Sequence, residues 1–180
     1  MTGTIVAQGE KAGYDVIVED LYSETFGPAL TAAERQSYYE ATYNQSGVSA
    51  STARLQNAEA LILVFPTWWF GFPAILKGWF DRVWAPGIAF DHTEDLSAIK
   101  PRLKNLKKVI AVTTLGSPWW VDRLVLRQPV KRILRVALLD SCTTNCTLQF
   151  LSLYRCETLN NQKIEAFERK IVRALSRWES

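Results

Sequence analysis

A chain of 180 residues suffices for one α/β domain with a full core, and 48% apolar with 22% charged residues excludes a disordered chain. A formal net charge of +3 is too small to argue for nucleic acid, and the odd count of three cysteines, Cys142, Cys146 and Cys156, argues against a secreted disulfide framework. One histidine, His92, and no G-x-S-x-G, G-x-x-x-x-G-K-S/T or G-x-G-x-x-G segment leave little support for a serine triad, a P-loop or a classical dinucleotide loop. In chain order, residues 1–12 read as the end of a helix, with Ile5 and Val6 inward and Gly13 as its stop. Residues 14–22 alternate around Val16, Ile17 and Val18 and predict a strand. Phe26-Gly27-Pro28 predicts a turn, and Thr31-Ala32-Ala33-Glu34 is a capping box opening a short helix. A polar loop over 44–47 precedes a helix over about 49–57.

The most informative stretch spans 61–84, LILVFPTWWFGFPAILKGWFDRVW. Its first five residues form an unbroken apolar run that predicts a strand buried on both faces, stopped by Pro66 for want of a ladder N–H. Thr67 to Phe72 must then turn while carrying four aromatic rings, and Pro73 fits the first position of a helix. Ile75, Leu76, Trp79, Phe80 and Val83 follow at helical spacing on one face. Trp68, Trp69, Phe70 and Phe72 can plug a core, but four rings beside Gly71 favour a ligand site at a strand's carboxyl end. Gly71 is expected to supply a positive φ or a close backbone approach. The same run is short for a membrane span and is interrupted by Pro66, Gly71 and Pro73, so no span is predicted.

A long connection over 85–105 carries the apolar Ile88, Ala89 and Phe90. Residues 108–113 predict a second buried strand, 116–118 a loop at its carboxyl end, and 127–139 a helix that can begin at Pro129. Residues 146–154 predict the last strand and 161–178 the last helix. Alternating strands and helices imply a parallel sheet with helices on both faces, in a single domain over 1–180. Two basic clusters, Lys100/Arg102/Lys104/Lys107/Lys108 and Arg123/Arg127/Lys131/Arg132/Arg135, read as solvated faces, with a cofactor 2′-phosphate contact open to one of them. Cys142 and Cys146, lacking a second cysteine pair and a nearby histidine, are read as reduced thiols rather than metal ligands. No signal or transit pattern is read at the N-terminus, and the expected compartment is the cytoplasm.

FPTWWFGFPAILKGWFDRVW closely resembles the signature of the NAD(P)H:quinone oxidoreductases with a flavodoxin-like fold, and Val112-Thr113-Thr114-Leu115-Gly116-Ser117-Pro118-Trp119-Trp120 is similar to their second flavin loop. The resemblance implies a doubly wound parallel sheet, FMN or FAD as cofactor, NAD(P)H as donor, a quinone-like acceptor and a homodimer. It implies two-electron hydride transfer through a flavin held by Pro66, Thr67, Trp68, Trp69, Phe70 and Gly71 and by Thr113, Thr114, Gly116 and Ser117. Trp119, Trp120 and Phe72 are expected in the acceptor pocket, with Trp119 and Trp120 alternatively at the dimer interface. The tyrosine and histidine that follow the second loop in the best-studied branch are missing here, so no catalytic side chain is carried over. Family members also open with a strand and an H-x-H-P phosphate loop. The sequence starts inside the helix that follows, so the expectation is an N-terminally truncated domain with weaker flavin binding and lower turnover. The rival readings are a non-catalytic regulatory subunit of an ion-efflux system and an inactive fragment.

Overall fold

The computed structural model describes residues 1–178. Helix α1 (Thr2–Lys11) ends where expected: Gly13, at φ +82°, takes the left-handed position that lets the chain reverse. The strand expected over 14–22 does not form. Val16, Ile17 and Val18 have the right propensity, but a strand also needs a neighbour's ladder, and none of the described residues supplies one. Ile17 and Val18 remain exposed, and residues 21–25 coil into turns. The segment is held by side chains instead, the Glu19 carboxylate accepting from Ser51 Oγ and from Trp79 Nε1.

Helix α2 (Ala32–Ser37) opens on the predicted capping box: Thr31 Oγ1 accepts from the Glu34 N–H and the Glu34 carboxylate accepts from the Thr31 N–H. Helix α3 (Ser49–Asn57) leads into strand β1 (Ala60–Pro66). Helix α4 (Ala74–Val83) has Pro73 at its N-cap, one position before the expected one, where a missing N–H is equally harmless. The connection over 85–105 is not structureless. It contains an antiparallel hairpin of β2 (Phe90–His92) and β3 (Ile99–Pro101), and Ile88 and Ala89 are fully buried.

Strand β4 (Lys108–Leu115) lies between β1 and β5 (Thr147–Tyr154), all parallel, in the order β1-β4-β5. Leu61 pairs with Val109 and Pro66 with Thr114, so both strands end on one rim. β1 is an edge strand among the described residues, which corrects its expected burial on both faces: Val64 is 43% exposed. β4 is the central strand, and its alternation divides two cores. Val109 and Ala111 pack with Leu63, Phe65, Trp79, Phe80 and Trp84 on one face. Ile110 and Val112 pack on the other with Ile5, Leu153, Phe167 and Ile171 from α1, β5 and helix α7 (Asn161–Ser176).

The helix expected over 127–139 starts at Pro129, because Arg127 and Gln128 both adopt left-handed backbone (φ +57° and +51°). Helix α5 (Pro129–Arg132) widens into a π-helical stretch, Ile133–Leu139, before α6 (Asp140–Cys142). A first π-helical turn, Val121–Val125, precedes them.

The excursion between α1 and α3 is tied to α4 by one buried ion pair. Arg82 and Glu34 are 6% and 1% exposed, with Arg82 Nε 3.0 Å from both carboxylate oxygens. Arg82 also donates to the Gly27 carbonyl, while its own carbonyl accepts from the Tyr43 hydroxyl at 3.1 Å. Burial pushes the Glu34 carboxyl up, but hydrogen bonds from Arg82 and Thr31 outweigh it and hold it below the usual glutamate range. Burial pushes the Tyr43 phenol up to about 12. Gly78 of α4 is required by the same packing, since a Cβ there would overlap Pro28.

Candidate cofactor and substrate site

Two loops meet where β1 and β4 end. The Thr67 N–H donates to the Thr114 carbonyl at 2.8 Å, and the Thr67 and Thr113 hydroxyl oxygens lie 2.6 Å apart. The aromatic loop itself is a two-residue hairpin turn: Trp68 and Gly71 exchange both backbone hydrogen bonds, at 3.1 and 2.7 Å. The left-handed positions fall on Trp69 (φ +47°) and Phe70 (φ +57°), not on Gly71 as expected. A two-residue turn that follows the strand twist needs φ > 0 at both central residues, and the central residues here are Trp69 and Phe70. Two large side chains thus occupy conformations that cost about 1–2 kcal/mol each. The result is a tryptophan held almost wholly in solvent: Trp69 is 96% exposed and Trp68 63%.

The turn frees donors as well as rings. Among the described residues, the backbone N–H groups of Trp69, Phe70, Gly116 and Ser117 make no hydrogen bond. Ser117 adds a buried hydroxyl without a partner. A flat ring with polar edges, such as an isoalloxazine, fits this chemistry: open faces of indole beside unpaired donors from two loops. At Gly116, a Cβ would run into the Glu157 carboxylate, so the glycine lets that end of the loop be approached closely.

The remaining sequence-predicted residues divide into two groups. Phe72 points inward, its ring packed at a tilt against Phe65 and Phe80 at centroid distances of 5.6 and 5.2 Å. It lines a half-open apolar cavity of about 330 Å³ with Tyr38, Phe80, Trp84, Phe90 and Cys142. Trp119 and Trp120 do not line that cavity; they stand on the second loop, 53% and 48% exposed. Ile88, Ala89 and Phe90 are buried in the core. Burial raises the Cys142, Cys146 and Cys156 thiols above their ordinary value, and no group able to hold a metal ion occurs among the described residues.

Sequence reasoning missed a pair beside the second loop. Asp122, 5% exposed on the first π-helical turn, accepts a 2.7 Å hydrogen bond from the Tyr154 hydroxyl at the end of β5. The two residues are 32 positions apart, and only the parallel β4–β5 register brings them together. A π-helical turn next to a candidate loop is itself a feature that often accompanies function.

The sequence pattern of a protein family described by its flavodoxin-like fold matches residues 1–180. NAD(P)H dehydrogenase (quinone) 1 of Cavia porcellus is 32% identical over 124 residues, covering 60% of this chain and 44% of that protein. An NAD(P)H oxidoreductase of Haemophilus influenzae is 37% identical over 108 residues, 60% of this chain and 52% of that protein. The chain thus spans about half the length of the curated relatives it matches. The NAD(P)H:quinone oxidoreductase from Methanothermobacter marburgensis superposes with a TM-score of 0.78 at 22% identity, over 99% of this chain and 87% of that one, which establishes the likeness of fold.

Proposed function

This chain belongs to the family with the flavodoxin-like fold, and from that premise we propose that it is a flavin-dependent NAD(P)H:quinone oxidoreductase. The observation that carries the proposal is the joined rim: the aromatic turn and the second loop are locked by Thr67, Thr113 and Thr114 and present four unpaired backbone donors with two exposed indoles. When bound, FMN or FAD would accept a hydride from NAD(P)H and pass two electrons to a quinone-like acceptor.

The protein's part is position and hydrogen bonding. The N–H groups of Trp69, Phe70, Gly116 and Ser117 orient the polar edge of the ring and favour negative charge developing there. Trp68 and Trp69 cover a face and exclude water, and Trp119 and Trp120 border the acceptor's approach. No side chain is assigned as a proton donor to the acceptor. The exposed Leu124 and Val125 on the first π-helical turn are the surface that a homodimer would bury.

The test is titration of the purified chain with FMN and FAD, followed by NAD(P)H-dependent reduction of a simple quinone under single-turnover conditions. The expected result is one flavin per chain, bleached by NAD(P)H and reoxidised by quinone. Absence of binding by either flavin would overturn the proposal, and flavin binding without hydride uptake would leave a non-catalytic flavoprotein.

A further inference from the structure

Among the described residues, two arginines beside the second loop have no ionic partner. Arg123 lies on the π-helical turn with its guanidinium carbon 5.9 Å from the centre of the Tyr154 ring. Arg155 follows Tyr154 directly, at the exit of β5. Both are exposed, and among the described residues neither makes a salt bridge or a side-chain hydrogen bond. Of the nearby acidic groups, Asp122 holds the Tyr154 hydroxyl, and the Glu157 carboxylate lies beside Gly116 and forms no salt bridge with either arginine.

Both arginines are also held by the frame around them. Tyr154 is fixed through its bond to the buried Asp122, and its ring forms a face on which the Arg123 guanidinium rests with its fork free. Arg155 adopts left-handed backbone (φ +57°), an unfavourable conformation for a side chain of this size, while its N–H donates to the Ser117 carbonyl at 3.3 Å. That hydrogen bond ties the arginine to the candidate cofactor loop. On the same loop, Trp119 and Trp120 are half exposed and offer flat faces to a base.

We propose that Arg123 and Arg155 bind the phosphate groups of a dinucleotide electron donor, with its adenine against Trp119 or Trp120, so that the site favours donors carrying phosphate. The inference rests on the reading of this rim as an NAD(P)H-dependent site and assigns its donor specificity. A planar fork suits the paired oxygens of a phosphate, and a guanidinium parked on a ring need not break a salt bridge to receive them.

The test has an arm that does not need the flavin. ADP-ribose, adenosine 2′,5′-bisphosphate and inorganic phosphate are titrated calorimetrically into the wild-type chain and an Arg123→Gln/Arg155→Gln double variant at low and moderate salt. The expected result is binding of the adenosine phosphates that weakens with salt and falls about tenfold or more in the double variant. A second arm measures flavin reduction by NADPH, NADH and ribosyldihydronicotinamide, which lacks phosphate. The variant should slow only the two dinucleotides at sub-saturating concentration. Inorganic phosphate binding as well as the adenosine phosphates would mean an adventitious anion site only and would overturn the assignment, as would an equal loss with all three donors. Intact calorimetric behaviour in a chain that never takes up flavin would sink the oxidoreductase reading while leaving a phosphate site.

Discussion

Thr67 and Thr113 meet at 2.6 Å between hydroxyl oxygens at the ends of two neighbouring strands, and Thr113 is 1% exposed. This contact, more than any aromatic ring, fixes the distance between the two loops of the site. Replacing Thr113 with the isosteric valine removes the hydrogen bond without changing the volume. The expected loss is about 1 kcal/mol of stability in urea unfolding. Flavin affinity should fall further than stability, because the loops are then held by the Thr67–Thr114 backbone bond alone. Equal flavin affinity in wild type and variant would show that the backbone bond suffices.

The Glu34–Arg82 pair makes a prediction about acid. Glu34 titrates below the usual glutamate range when folded, so its contribution is present above the unfolded value and is lost as pH falls through the folded one. Stability should therefore decline below about pH 4.5, whereas in Arg82→Met, where burial is no longer offset by the guanidinium, the dependence should reverse and stability should rise from a lower baseline as Glu34 is protonated. Leaving the Glu34 carboxylate buried without its partner costs about 3–5 kcal/mol, a large share of the roughly 5–15 kcal/mol typical of a domain. Denaturant midpoints from pH 3 to 7 for both proteins check it.

The turn at Trp69 and Phe70 sets stability against function. Trp69→Asn/Phe70→Gly supplies the residues that such a turn favours and should raise stability by about 1 kcal/mol or more. The same change removes the indole that is 96% exposed, and flavin should dissociate faster. A variant that is no more stable than wild type would mean that the left-handed turn is not occupied in solution.

Two glycines separate packing from approach. At Gly78 a Cβ would meet Pro28 backbone, which cannot move away cheaply, so Gly78→Ala should cost roughly 1–3 kcal/mol. At Gly116 the obstructing group is the far end of the Glu157 side chain, which can swing aside. Gly116→Ala should thus leave the melting temperature nearly unchanged while lowering flavin occupancy. Thermal melts and flavin titration of both variants distinguish the two roles.

The legible parts of the fold were those set by local pattern. The apolar runs of β1, β4 and β5, the Thr31–Glu34 box and the α4 stripe each declare themselves within a few residues. The strand expected over 14–22 failed because alternation reports propensity, whereas a strand is a relation to a neighbour. Arg82 and Glu34 are 48 positions apart, and neither looks buried from its type, so no window could pair them. That the two loops share one rim was legible, since Pro66 and Gly116 mark both strand ends. Its finer geometry was not, because a glycine between two phenylalanines draws the eye from the residues that bear the strain.

The position of β4 between two cores has a consequence for how the molecule opens. Its odd-numbered and even-numbered residues seal different cores, so neither helical layer can detach without exposing one side of this strand. Amide hydrogens of Val109 to Val112 should therefore exchange only through global unfolding, setting the slow limit for the whole chain. Among the described residues, the N–H groups of β1 that point away from β4 have no ladder partner and should exchange orders of magnitude sooner. Deuterium uptake across this sheet would rise in one direction, from a slow centre to a fast margin, and the aromatic turn hangs from that fast margin.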